Sequence, residues 1–151
     1  MSVEKLLCPH LKVLPKEQCP QRKGVITLPC KHRTPQYYLG WAIPYDVTYT
    51  VYPTDNLPEY WFRHVQTPWA KLYKEKYRNI TKGKYCIPDF AYMNLDQLPY
   101  PKDLHLVVYI AHNRDEDGLA LSENEEFIKV MKEVTKIDES ITGELKWIRC
   151  L

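Results

Sequence analysis

Residues 104–112 (LHLVVYIAH) form a β-branched, apolar run that predicts a buried strand. Alternation places Leu104, Leu106, Val108 and Ile110 on one face and His105, Val107, Tyr109 and Ala111 on the other. The polar turn 113–118 ends the run. Ser122 followed by Glu125 has the form of a capping box. Behind it Phe127, Val130, Met131 and Val134 recur at intervals of three and four, which predicts a helix with one apolar stripe. Gly143 breaks the chain, and residues 145–151 (LKWIRCL) read as a final strand.

Residues 45–53 (YDVTYTVYP) alternate as well, with Tyr45, Val47, Tyr49 and Val51 opposite Asp46, Thr48, Thr50 and Tyr52. That pattern predicts a half-buried strand. Thr54, Asp55 and Asn56 then offer caps, and Phe62, Val65, Trp69 and Leu72 keep helical spacing. Pro68 falls inside that spacing, where it removes a hydrogen bond and clashes with the preceding turn. Thr67 and Pro68 therefore predict an N-cap and first position, restarting a helix after a break. Pro88 makes residues 85–93 an edge strand or a loop. Residues 25–28 and 37–43 read as short strands between proline turns that extend the sheet or wrap over it. The expectation is a single α+β domain over 1–151, with a loop-rich extension (1–44) and a core (45–151) ordered strand, helix, strand, strand, helix, strand.

Composition supports a globular protein, with 26% charged and 44% hydrophobic residues. No run at the N-terminus suits a signal peptide and none approaches a membrane span, so the expectation is a cytoplasmic protein without membrane contact. Five scattered cysteines fit reduced thiols better than a disulfide framework. Charge is divided along the chain: residues 1–101 carry fourteen Lys/Arg against eight Asp/Glu, residues 102–151 seven against eleven. Opposite charges on the two parts suit halves that dock, or a head-to-tail partner surface.

The aromatic residues narrow the function. All twelve tyrosines, three of four tryptophans and two of three phenylalanines lie between Tyr37 and Tyr109. Tyr and Trp carry a polar tip that needs a partner when buried, so this region reads as a half-wet cavity or a contact surface. Other constellations have ordinary explanations beside the functional ones. Cys8, His10, Cys30 and His32, with Cys19 between them, hold zinc-ligand types without a zinc spacing; buried thiols and surface histidines explain them equally. Asn113, Asp115, Asp117 and Gly118 begin like a calcium loop, but the twelfth position is Asn124 and a strand precedes. Lys71, Lys74, Lys76, Arg78, Lys82 and Lys84, interleaved with Tyr73, Tyr77 and Tyr85, could grip single-stranded nucleic acid or be a solvated helix face. The net charge of +2 lacks the footprint of a nucleic-acid binder, so none is assigned. No P-loop, GxGxxG, GxSxG or HExxH is present.

The predicted order resembles the ferredoxin-like βαββαβ unit of the dimeric α/β-barrel superfamily, an antiparallel sheet with two helices on one face. Residues 58–69 (PEYWFRHVQTPW) look like the first helix of its ether-degradation and dehydratase-type members. Residues 121–140 (LSENEEFIKVMKEVTKIDES) look like their second helix and the acidic segment after it. Three residues separate His64 from Pro68 instead of one, a departure from the family spacing. The resemblance implies a homodimer performing cofactor-free dehydration, cyclisation or decarboxylation of an aromatic or polyketide-like small molecule, with no metal. His105, Tyr109 and His64 are then the candidate acid–base residues, and Tyr45, Tyr49, Trp61 and Trp69 the substrate-binding walls. The competing reading is a non-catalytic ligand- or protein-binding module that uses its Tyr/Trp surface as the contact. Convergence of His105, Tyr109, Tyr45 and Tyr49 on one pocket favours the first; their separation favours the second.

Overall fold

The structure is a computed structural model that describes residues 13–17, 36–79, 88–94, 104–114 and 116–149. Among the described residues five strands make one antiparallel sheet: β1 (Val13–Pro15), β2 (Tyr37–Pro44), β3 (Asp89–Asn94), β4 (Leu104–His112) and β5 (Lys146–Arg149). Their spatial order is β1-β5-β2-β4-β3. Strand β2, YYLGWAIP, is apolar almost throughout because it lies at the centre of the sheet, with β4 and β5 as its neighbours. At Gly40 its register with β4 shifts, since Leu39 faces Ala111 while Gly40 faces Tyr109. The two backbones close up there: a side chain on Gly40 would collide with the Val108 carbonyl and come within 2.8 Å of Tyr109 Cα. Only glycine fits this bulge.

The strand expected at 45–53 is a helix. Pro44 ends β2, a single 3-10 turn occupies Tyr45–Val47, and α1 follows at Thr48–Val51. Thr48 Oγ1 donates to the Tyr45 carbonyl at 2.8 Å, a local bond that competes with a strand ladder. The central strand therefore comes from residues placed by sequence in the extension. Among the described residues, the elements of 37–149 follow one another as strand, helices, strand, strand, helices, strand, and begin one element before the core expected at 45.

The long helix α2 (residues 57–77) begins at Asn56, whose side chain accepts from the Glu59 N–H at 3.2 Å. It does not break at Pro68. Two wide turns, Phe62–Gln66 and Tyr73–Tyr77, alternate with α-helical segments Leu57–Trp61 and Thr67–Leu72. Within the first, both the N–H and the hydroxyl of Thr67 reach the Phe62 carbonyl, the hydroxyl at 2.8 Å. Widening opens the turn before Pro68, which has no N–H to give and a ring that needs room. It also explains the buried stripe Leu57, Trp61, Val65, Trp69 and Tyr73. Spacing of four drifts about 40° per step around a regular α-helix; turns holding more residues cancel that drift and keep all five on one side.

Glu116–Ser122 forms α3 and Glu125–Val134 forms α4. The predicted cap moves by two residues. Ser122 ends α3 with its hydroxyl on the Leu119 carbonyl, while Asn124 caps α4 by accepting from the Phe127 N–H at 3.0 Å. A short α5 (Glu139–Thr142) leads through Gly143, at φ +80°, into β5. Helices α2 and α4 share one core with Leu39, Trp41, Ile43, Leu106 and Val108, and Trp69 meets Phe127 edge-on at 6.4 Å. Both helices thus cover the same sheet face. On the other face Val107 and Ile148 have no solvent access within the single chain, so at these positions the face is not the open one that pairing with a second copy requires.

Candidate functional site

Helix α1 and the turn before it set Tyr45 and Tyr49 four residues apart, side by side on one helical surface. Both are exposed, at 58% and 63%, and Tyr92 on β3 is exposed at 49%. The Tyr45 and Tyr92 rings meet at 6.1 Å and 57°. With Tyr52, Leu57 and Leu106 they border a groove of about 440 Å³, the size of a small-molecule site. Asp46, Thr48, Thr54 and Asp55 complete the rim; no Lys, Arg or His lies among the described lining residues.

Tyr52 is the groove's fixed wall. It is buried, its ring meets Tyr60 and Trp61 edge-on at 5.9 and 5.8 Å, and its hydroxyl donates to the Thr135 carbonyl at 2.7 Å. Burial, helped by neighbouring Tyr60, pushes its phenol far above the ordinary tyrosine range. Tyr52 is a hydrogen-bonded strut that offers the groove a ring and no titrating group.

The predicted site residues do not meet. His105 and Tyr109 share a strand face as expected, but it is the face away from the helices and the groove. Leu106, next to His105 in the chain, lines the groove, and a strand points neighbours to opposite sides. His105 stands across from Met93, and Tyr109 stacks on Tyr38 at 4.0 Å with an 11° interplanar angle. His64 is exposed on α2 against the Tyr60 ring at 4.6 Å. Trp61 and Trp69 are core residues, 2% and 0% exposed, and the Trp61 indole N–H donates to the Pro88 carbonyl at 3.0 Å. Of the expected substrate walls, Tyr45 and Tyr49 line the groove; Trp61 touches it only through Tyr52.

Tyr92, Tyr52, Asp46 and Asp55 were missed. The signal for the first pair was present in the tyrosine-rich middle of the chain, but nothing in the spacing brings residue 92 beside residue 45. Asp46 and Asp55 flank the predicted strand and cap, where turn chemistry explained them.

The remaining constellations fare differently. Cys8, His10, Cys19, Cys30 and His32 lie outside the described residues, as do Lys82, Lys84 and Tyr85. Lys71, Lys74, Lys76 and Arg78 are exposed on the last turns of α2 and just beyond. Asn113 is buried and its Oδ1 accepts from the Tyr37 N–H at 2.7 Å, while its own N–H returns to the Tyr37 carbonyl. Gly118 lies inside α3, so Asn113 ties two elements together and the turn feeds a helix. Among the described residues no group of three or more His, Cys, Asp or Glu is placed to hold a metal ion, and no helix is long and apolar enough to cross a membrane. A second cleft of about 430 Å³ near α4 mixes Lys16, Lys129 and Lys132 with Glu17, Glu125, Glu139 and Glu144. No family model, no curated protein and no solved structure matches this chain.

Proposed function

We propose that this chain is a binding module whose tyrosine-walled groove at the β3–β4 end of the sheet receives a ligand. The observation that carries the reading is the convergence of exposed Tyr45, Tyr49 and Tyr92 on a cavity of about 440 Å³. Exposed tyrosines supply large, stiff contact area with a polar tip, which suits recognition. His/Tyr acid–base catalysis on an aromatic substrate needs His105, Tyr109 and those walls around one molecule. The sheet separates them, so the cofactor-free dehydratase or cyclase reading loses its geometric support.

A ferredoxin-like identity for the fold is part of the same proposal. Setting β1 aside, the order β5-β2-β4-β3 runs fourth, first, third, second in chain order, with helical segments after the first and third strands. The added edge strand β1 is the departure from that arrangement. A homodimer through the far sheet face draws no support from fully buried Val107 and Ile148.

The test is an NMR screen of the full chain with a mixed library of neutral, cationic and anionic aromatic fragments. Hits should perturb Tyr45, Tyr49 and Tyr92 and vanish in the Tyr45→Ala/Tyr49→Ala double variant. Hits that instead gather around His105 and Tyr109 would overturn the assignment.

A further inference from the structure

Given the groove as the binding site, we infer that its ligand is a small organic cation with an alkylammonium or guanidinium head group. Two acidic side chains, Asp46 and Asp55, stand at the groove with no basic residue among its described lining. Three exposed tyrosine rings surround the same space, and the faces of aromatic rings attract cations. No charged donor for an anion lies among the described lining residues, and two of the six lining hydroxyls are engaged within the protein. The Thr48 hydroxyl donates to the Tyr45 carbonyl and the Tyr52 hydroxyl to the Thr135 carbonyl, so neither is left pointing a proton into the groove. An anionic ligand would meet carboxylates and ring faces; a cation meets opposite charge and favourable quadrupoles together.

Among the described residues, no cation lines the site to neutralise it. Arg63, on the exposed side of α2, pairs with Glu59 at 2.9 Å, and neither residue lines the groove. The volume suits a head group with a short stem rather than a folded partner surface.

The experiment compares isosteric probes. Choline and its neutral carbon isostere 3,3-dimethyl-1-butanol, together with butylguanidinium, are titrated into the full chain and followed by NMR. Choline or butylguanidinium should bind roughly tenfold more tightly than the neutral isostere, with shifts centred on Tyr45, Tyr49 and Tyr92. Asp46→Asn and Asp55→Asn, both at exposed positions, should each weaken cation binding and leave the far-UV spectrum unchanged. Equal binding of the neutral isostere in the groove overturns the cation inference and leaves the groove reading standing. Absence of any cation binding there also overturns it. If the mixed fragment screen finds no groove ligand either, the groove reading falls with it. Much tighter binding of a lysine- or arginine-containing peptide than of the free cations would transfer the site to a peptide and overturn the small-molecule source.

Discussion

The indole N–H of Trp41 donates to Glu139 Oε2 at 3.0 Å across 98 residues of sequence. This bond ties the central strand to α5. The same carboxylate accepts the Leu145 N–H at 3.2 Å and pairs with Lys132 Nζ at 2.8 Å, so one side chain joins β2, α4 and the entry to β5. Glu139→Ala leaves the indole N–H of fully buried Trp41 without its acceptor, and should cost about 1–3 kcal/mol in urea unfolding.

Glu139 also predicts a pH dependence. Partial burial opposes its charge, but the hydrogen bonds from Lys132 and Trp41, the Lys132 charge and the Leu145 N–H outweigh burial and hold the carboxyl below its ordinary 4.5. A carboxyl depressed in the folded state binds its proton more readily when unfolded. Its stabilising contribution is therefore complete above the ordinary value and disappears as pH falls through the depressed one. Glu139→Gln should remove this component, giving a flatter acid limb in unfolding midpoints measured below pH 5; an unchanged limb would show that other carboxyls carry it.

Gly40→Ala should be among the most damaging small substitutions in the sheet. Its methyl would be forced against backbone atoms of Val108 and Tyr109, which cannot rotate away as a side chain could. Overpacking of this kind costs about 3 kcal/mol, and the denaturation midpoint of the variant measures it directly.

Tyr52→Phe removes one hydroxyl and leaves the buried Thr135 carbonyl short of a donor. About 1 kcal/mol of stability should go with it. Binding in the groove should persist, because the ring wall remains; loss of binding would mean that the hydroxyl faces the ligand.

The two sheet faces separate recognition from His105, and His64 is exposed on α2 outside the groove lining. Tyr45→Ala with Tyr49→Ala should lower groove affinity by at least tenfold, as loss of two contact aromatics commonly does. His105→Ala and His64→Ala should leave that affinity within about twofold, since neither residue lines the groove. A calorimetric titration of the tyrosine double variant and the two histidine variants with choline makes the comparison.

Strand β4 was legible to the residue, and α4 and β5 nearly so, because an apolar run or a single stripe leaves one solution. Residues 45–51 misled for a physical reason. Tyr45 and Tyr49, and likewise Val47 and Val51, satisfy period two along a strand and spacing four along a helix equally well. The proline at 44 and the Thr48 hydroxyl bond decide for the helix. Pro68 misled in the other direction, since a wide turn can carry a proline that a regular turn rejects. Two of the groove's three exposed tyrosines, Tyr45 and Tyr49, were visible. Tyr92 was not, because its approach depends on sheet order, which no local pattern encodes.

That order also sets a timetable for synthesis. Strand β2 emerges early, yet its two neighbours, β4 and β5, are made more than sixty and more than a hundred residues later. Until β4 is made the sheet's most apolar strand has both edges open on the ribosome, and until β5 is made it has one. A nascent chain stalled before residue 146 should hold β2 with one edge exposed, and such chains are the ones a holding chaperone would meet.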